Sequence, residues 1–407
     1  MKTGWQTKAL GEILQDTETV NPLRSPETEF DYIDVSSISN TTFQIEETQR
    51  LTGKAAPSRA RKLVKANDVL FATVRPTLRR IAIVPEQLDN QVCSTGYFVL
   101  RPKAEIDHRF IFYSLFTEDF MEQMEILQKG ASYPAVTDGQ VRAQSFSFPP
   151  LPEQQRIVGI LDEAFEAIVT AQANVEKSRQ NTHALFASYL QSVLRSKKWK
   201  WKTLGDLCDG VEYGSSAKSK TEGKVPVLRM GNIQDAQLDW ENLVYTDDED
   251  EIAKYLLKHN DVLFNRTNSP ELVGKTAIYK SEMPAIFAGY LIRINRKEDL
   301  LDGDFLNYFL NSQIALDYGK TVVISSVNQA NINGAKLKGY PIPAPSLAEQ
   351  RIIVAKLDSL REETQRLGRL YERKLATLEA LKKSLLYRAF TGQLHDRVLN
   401  HDGEGPL

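Results

Sequence analysis

An apolar run stepping by four and three constrains this chain more than any other feature. It passes through Ile353, Leu357, Leu360, Thr364, Leu367, Tyr371, Lys374, Leu378, Leu381 and Leu385. That stepping is the seam of a coiled-coil helix sustained over several heptads. An earlier copy steps through Ile157, Leu161, Ala164, Ile168, Ala171 and Val175, loses regularity near Thr182, and resumes at Leu185, Tyr189 and Val193. Neither run holds a proline, and each holds one glycine, Gly159 and Gly368. At 1.5 Å per residue such a helix is about 60 Å long. It cannot fold back into a small globule, so its stripe needs a partner of similar length. The other copy supplies one.

The two helices are entered alike. Pro149-Pro150-Leu151-Pro152-Glu153-Gln154 resembles Pro343-Ala344-Pro345-Ser346-Leu347-Ala348-Glu349-Gln350. Prolines hold the approach extended, and the acid in the first turn suits the positive helix end. The pairs Leu161-Asp162 and Leu357-Asp358 follow at matching places. The repeat also reaches outside the helices. Trp5-Gln6-Thr7 matches Trp201-Lys202-Thr203, Asn67-Asp68-Val69-Leu70-Phe71 matches Asn260-Asp261-Val262-Leu263-Phe264, and Gly96-Tyr97 matches Gly289-Tyr290. The chain is therefore a tandem of two halves, each a globular unit followed by a long helix.

A chain of 407 residues is long enough for two or three domains with real cores. No run of some 18 apolar residues and no charged-then-apolar leader is present, so neither a membrane span nor export is expected. The cysteines, Cys93 and Cys208, fall in different halves, and the five histidines form no metal-like spacing. A reducing cytoplasm is the expected setting. The net charge of −2 argues on its face against a polyanion binder. The charge is segregated, however. Residues 54–80 are rich in Lys and Arg with Asp68 as their one acid, whereas residues 235–251 carry acids and no base. A local basic face is compatible with a neutral sum.

Each globular half reads as mixed α/β. In the first, strands are predicted at 30–35, 69–74, 81–84 and 97–100, and one helix from about His108 to Leu127. Arg59 and Arg61 precede the loop Arg75-Pro76-Thr77-Leu78-Arg79-Arg80, and a second loop, Lys129-Gly130-Ala131-Ser132-Tyr133-Pro134, follows the helix. Arginine forks suit phosphates and the guanine edge, while Ser, Thr and Tyr donate to phosphates or bases. Any single loop arginine is as well explained by solvation. The second half offers Lys218 and Lys220 in a flexible basic loop, Arg229, Arg266 and Asn268 after a strand, and Ser325 and Asn328 in the place of Ser132 and Tyr133. Asn and Gln read adenine bidentately, although in turns they more often satisfy backbone groups.

Gly274-Lys275-Thr276 ends like a phosphate-binding loop, but the required first glycine falls at Ser269. No glycine-rich cofactor turn, nucleophile elbow or H-E-x-x-H helix is found. Catalysis by this chain is not expected.

Two half-repeats with these helix entries, together with the ending Ser384-Leu385-Leu386-Tyr387-Arg388-Ala389-Phe390-Thr391-Gly392-Gln393-Leu394, resemble the specificity subunit of type I restriction-modification enzymes. The resemblance covers nearly the whole chain. The first helix departs from it, since Ser188-Tyr189-Leu190-Gln191-Ser192-Val193-Leu194 lacks the Phe-Thr-Gly stop. The resemblance implies an α+β fold with two pseudo-repeated α/β target-recognition domains, residues 1–148 and 199–345. Residues 149–198 and 346–392 are then spacer helices forming a long antiparallel two-helix coiled coil, followed by a flexible tail at 393–407. It also implies an asymmetric bipartite site on double-stranded DNA. Two methyltransferase subunits, and restriction subunits in the full complex, are the implied partners; adenine-N6 methylation with S-adenosylmethionine, and cleavage with ATP and Mg, belong to them. A stiff helix pair would place the half-sites about one helical turn of duplex apart. On this reading Arg59, Arg61, Arg75, Thr77, Arg79, Arg80, Ser132 and Tyr133 serve one half-site. Lys218, Lys220, Arg229, Arg266, Asn268, Ser325 and Asn328 serve the other. A protein–protein scaffold of a defence complex, with no readout of DNA sequence, is the other reading left open.

Overall fold

The computed structural model describes residues 4–326 and 329–394, the side chains of 325 and 326 aside. Two helices of 44 residues each, Leu151–Leu194 and Leu347–Phe390, realise the duplicated heptad runs. The chain divides into two units, Met1–Val175 with Arg373–Leu407, and Glu176–Glu372, so each long helix gives one stretch to each unit. Within the first unit the two stretches run antiparallel. Gln172 donates to Glu379, Lys382 Nζ lies 5.4 Å from the Phe165 ring centre, and Arg156 donates to the Leu394 carbonyl at 3.0 Å. Within the second the sense is the same: Arg361 lies over Phe186, while Leu190 and Leu194 share an apolar cluster with Ile353 and Leu357.

The seam departs from the predicted register at two places. Beyond Tyr371 it uses Leu375, Leu378 and Lys382, while Lys374 and Leu381 face solvent. In the first helix it passes through Val175, Thr182, Phe186, Leu190 and Leu194, leaving Leu185 58% exposed. An α-helix turns every 3.6 residues, so a strict 3.5-residue stripe drifts around it, and an extra four-residue step restores contact.

In the first lobe, Val69–Ala72 lies between Ile81–Ile83 and Tyr97–Leu100 in an antiparallel sheet. All four of its residues are buried because both faces of this strand are covered. A second sheet is ordered Gln49–Thr52, Glu29–Ile33, Val92–Ser94 and Ala60–Leu63. The predicted helix from His108 to Leu127 is broken into His108–Ser114 and Glu118–Leu127, because Thr117 caps the second by accepting from Phe120 N. Gln6–Ala9 pairs with Ser145–Phe148, bringing the start of the lobe to the entry of the long helix.

The second lobe repeats this plan. Val262–Asn265 lies between Leu291–Arg296 and Thr276–Ile278, with Cys208–Tyr213 added at the edge. Gly303–Leu310 and Gln313–Val322 take the place of the two short helices, and Trp201–Thr203 pairs with Pro341–Pro343.

The repeated motifs turn out to be duplicated fastenings. Gln154 is fully buried; its amide donates to Glu105 O (3.1 Å) and Pro149 O (2.8 Å) and accepts from Asp107 N (2.9 Å). Gln350 does the same with Leu300 O (2.8 Å), Pro345 O (3.0 Å) and Asp302 N (2.8 Å). Tyr113 donates to Asp162 and Tyr308 to Asp358, each at 2.6 Å. Asn67 (φ 69°) and Asn260 (φ 73°) turn left-handed, a conformation asparagine tolerates better than most residues. The aspartate after each receives an arginine, Arg101 just past the strand Tyr97–Leu100 on Asp68 and Arg293 within Leu291–Arg296 on Asp261. Each of these glutamines, tyrosines and aspartates is satisfied by a partner at the corresponding place in its own lobe.

Candidate nucleic-acid interface

The central strand of each lobe delivers the chain to a tip built from two loops. In the first lobe Thr73 closes the strand by donating N and Oγ1 to Gly96 O (2.8 and 3.0 Å). Val74 then bridges to Ala135, and Arg75 N donates to Pro134 O at 2.7 Å. Loops 75–80 and 129–134 therefore lie side by side, as a joint binding surface requires.

Arg75 (φ 51°) and Arg79 (φ 54°) flank the turn Pro76–Leu78 in the left-handed region. For a residue with a Cβ this costs about 1–2 kcal/mol. The Arg75 guanidinium is held twice: Nη2 donates to Ser132 O at 3.1 Å, and the group lies 4.8 Å from the Tyr133 ring centre. Tyr133 is 71% exposed, and Thr77 is exposed beside it.

The other first-lobe candidates are placed differently. Arg79 lines a cavity of about 860 Å³ together with Phe43, Glu118 and Lys382. Arg80 donates to the carbonyls of Ser36 and Ile38 and so anchors a loop of the fold. Arg61 is half-buried on Ala60–Leu63, with Nη1 on Ala60 O at 3.0 Å. Arg59 is exposed in the preceding turn, its carbonyl accepting from Thr95 N at 2.9 Å.

In the second lobe Arg266 follows the central strand. Its N donates to Tyr290 O (3.0 Å), its Nη1 to Gly289 O (3.1 Å), and its guanidinium lies 4.9 Å from the Tyr213 ring centre. The Tyr213 hydroxyl accepts from Gly334 N at 2.8 Å. Arg266 Nε is buried and has no hydrogen-bond partner among the described residues. Beyond it, Thr267–Asn268 pairs with Gln329–Asn331, which pairs with Ile324–Ser326. Asn268 and Ser325 both lie opposite Ala330, although the Asn268 side chain accepts from Ser269 N (2.9 Å). Asn328 lies outside the described residues. The first lobe makes the same three-way junction with only the single bridges Val74–Ala135 and Lys129–Ala135.

The segment from Tyr213 to Lys220, expected to be a flexible basic loop, is pinned by acids. Lys220 pairs with Asp247 at 2.9 Å and exchanges two backbone hydrogen bonds of 2.8 Å with Tyr245. Lys224 N donates to Asp247 (2.8 Å), Lys224 Nζ to Glu249 (2.9 Å), and Ser215 bonds Glu251. The adjacent carboxylates draw the chain in because the acid run at 247–251 faces these lysines, and Lys220 in turn holds the Asp247 carboxyl below its usual range. Lys218 stays exposed, and Arg229 donates to Asn242 O at 2.8 Å.

The sequence reading gives no role to Tyr213. Its contact to Arg266 joins two segments far apart in the chain, and no local pattern marks it. Burial pushes the Cys93 thiol up to about 12, which makes it an inert core residue. Among the described residues no cluster of His, Cys, Asp and Glu is placed to hold a metal, and no helix is long and apolar enough to cross a membrane.

Comparison with known proteins gives this geometry a context. The family model described as type I restriction modification DNA specificity domain matches twice, over residues 2–177 and 196–372. The chain is 25% identical over 324 residues to the type I restriction enzyme StySPI specificity subunit of Salmonella potsdam, covering 74% of this chain and 69% of that protein. It is 30% identical over 197 residues to the putative type I restriction enzyme MjaX specificity subunit of Methanocaldococcus jannaschii, 47% of this chain and 45% of that one. Among solved structures, the HsdS subunit from Thermoanaerobacter tengcongensis superposes with a TM-score of 0.68 at 29% identity, covering 97% of this chain and 98% of that one. A chain from a study of complex assembly and conformational transition in the type I R-M system superposes at 0.84, also 29% identical, covering 96% of this chain and 99% of that one.

Proposed function

This chain belongs to the family of type I restriction-modification DNA specificity proteins, and from that premise we propose that it binds double-stranded DNA at an asymmetric, bipartite sequence. Each lobe reads one half-site. The observation that carries this reading is a duplicated scaffold bearing tips that are not duplicated. Gln154 and Gln350 make equivalent bonds, as do Tyr113 and Tyr308. The tips share a junction but not its residues, with Arg75, Ser132 and Tyr133 in one and Arg266, Asn268 and Ser325 in the other. A fold kept constant under variable loops is how binding surfaces diversify.

In this reading the chain supplies sequence readout only. Two methyltransferase subunits transfer a methyl group from S-adenosylmethionine to adenine N6, and restriction subunits cleave unmodified DNA with ATP and Mg. The long helices, which leave Ile352, Leu370 and Tyr387 exposed, offer docking surface for those partners. Exposed Arg75 and Lys218 supply phosphate or base contacts.

Methylation mapping by single-molecule sequencing, in a host carrying this chain with its methyltransferase, tests the proposal. The expected result is a motif of two unlike halves separated by unspecified bases. One uninterrupted motif rejects it. Binding that ignores ionic strength rejects DNA contact altogether and favours a protein scaffold, because phosphate contacts release counterions and weaken steeply with salt.

A further inference from the structure

The geometry points to Arg75 as the residue that reads a guanine in the half-site of the first lobe, with Tyr133 as its positioning residue. This deepens the proposal of sequence-specific DNA binding and rests on it. Four observations converge on that one side chain. Arg75 occupies the left-handed region at φ 51°, where glycine or asparagine would sit at lower cost. It is exposed, so burial does not explain its choice. Its guanidinium lies against the Tyr133 ring at 4.8 Å, and one of its nitrogens is fixed on Ser132 O at 3.1 Å. Its backbone N–H is anchored on Pro134 O at 2.7 Å, which fixes where the side chain leaves the loop.

A phosphate contact asks for none of this. Phosphate oxygens are reached by flexible, solvated cations, and a lysine on a mobile stem serves as well. Reading a base edge is more demanding. The guanine O6 and N7 acceptors lie in the plane of the base, and a planar arginine fork matches both only if its orientation is held. A ring against one face and a carbonyl on one nitrogen leave the rest of the fork to project from an exposed tip. Strained backbone at an exposed position clusters at binding sites, and here it coincides with a fixed fork.

The second lobe supplies the contrast. Arg266 meets Tyr213 at nearly the same distance, 4.9 Å, but there the ring is tied by its hydroxyl to Gly334 N, and Arg266 Nε is buried. That arginine bolts three segments together. Of these two arginines, Arg75 is the exposed one.

The test uses the full chain assembled with its methyltransferase and duplexes carrying the mapped motif. 7-Deazaguanine, which lacks the N7 acceptor, replaces each guanine in turn. One replacement is expected to weaken wild-type binding by about tenfold and to add nothing to the loss caused by Arg75→Ala. Arg75→Lys should keep the slope of affinity against salt while losing discrimination at that base pair. Tyr133→Phe should preserve discrimination and Tyr133→Ala reduce it, with the salt slope unchanged in both. A motif lacking any G·C pair overturns the assignment. So does a 7-deazaguanine effect equal in wild type and Arg75→Ala, or an Arg75→Ala loss that is uniform across sequences with a shallower salt slope, which marks a phosphate contact. In each of these cases the wild type still prefers its motif to a scrambled duplex. Absence of that preference is a different failure, that of the sequence-specific reading itself.

Discussion

The two lobes share their fastenings and differ at their tips, and the difference runs along lines of charge. In the first lobe the basic residues near the tip have few acids to answer them, so Arg75 meets a ring and a carbonyl. In the second, Asp247 and Glu249 take up Lys220 and Lys224, and Glu251 holds Ser215. The contrast is local: both lobes pair cations with acids elsewhere, as Lys62 does with Asp138 and Lys280 with Asp304.

The deepest layer of the comparison is the arginine–aspartate pair beneath each central strand. Asp68 is 1% exposed and receives two bonds from Arg101, at 2.9 and 2.8 Å. Asp261 is more open and shares Arg293 with Glu212. Removing one partner of a buried pair costs about 3–5 kcal/mol when the other charge is left alone. Asp68→Ala should fall at the low end, about 3 kcal/mol, because Glu18 still holds Arg101. Each arginine keeps a second carboxylate, Glu18 for Arg101 and Glu212 for Arg293. Asp261→Ala should therefore cost the second lobe less only because Asp261 is the more open of the two aspartates. Urea titrations with a reporter in each lobe measure both, and equal losses break the distinction.

The buried glutamines should behave as twins. Gln154→Leu and Gln350→Leu each leave two carbonyls and one N–H without partners. The cost is about 2–4 kcal/mol in each case, given roughly 1–3 kcal/mol for an orphaned buried group and partial relaxation. Protease resistance of each long-helix entry reports it, and unequal losses show that the scaffolds are less alike than their bonding suggests.

The tips should separate next. Lys220→Gln is expected to change the salt slope of DNA binding by well under one counterion, because Asp247 already balances that lysine. A reduction of a full unit places Lys220 on a phosphate and removes the contrast between the lobes. Arg75→Gly has the smallest expected effect on the fold. Relief of the left-handed strain and the added freedom of glycine in the unfolded chain offset one another to within about 1 kcal/mol. Calorimetry should find the melting temperature unchanged while discrimination between DNA sequences is lost.

Much of this plan is written in the sequence. The duplicated heptads, the Glu-Gln entries and the Asn-Asp turns each locate an element because each repeats a local physical need. The seam beyond Tyr371 was less legible: Leu375 and Leu381 are equally apolar, and only the accumulated drift of the helix decides which one faces in. The break at Thr117 is a cap whose signal is one residue inside an apolar run. At the tips, residue type identified Arg75, Ser132 and Tyr133, and the structure brings them together. The same criterion also chose Arg80, spent on two carbonyls, and Lys220, spent on Asp247. An exposed cation and an internally satisfied one look identical until their partners, distant along the chain, are known.

The backbone of Arg75 has a consequence for descent as well as for binding. An exposed side chain that strains its own loop is favoured while something outside the protein rewards it. Lineages that abandoned their original recognition sequence would be released from that demand at position 75. Glycine or asparagine appearing there would record the change of target, even where the long helices and their glutamines stayed untouched.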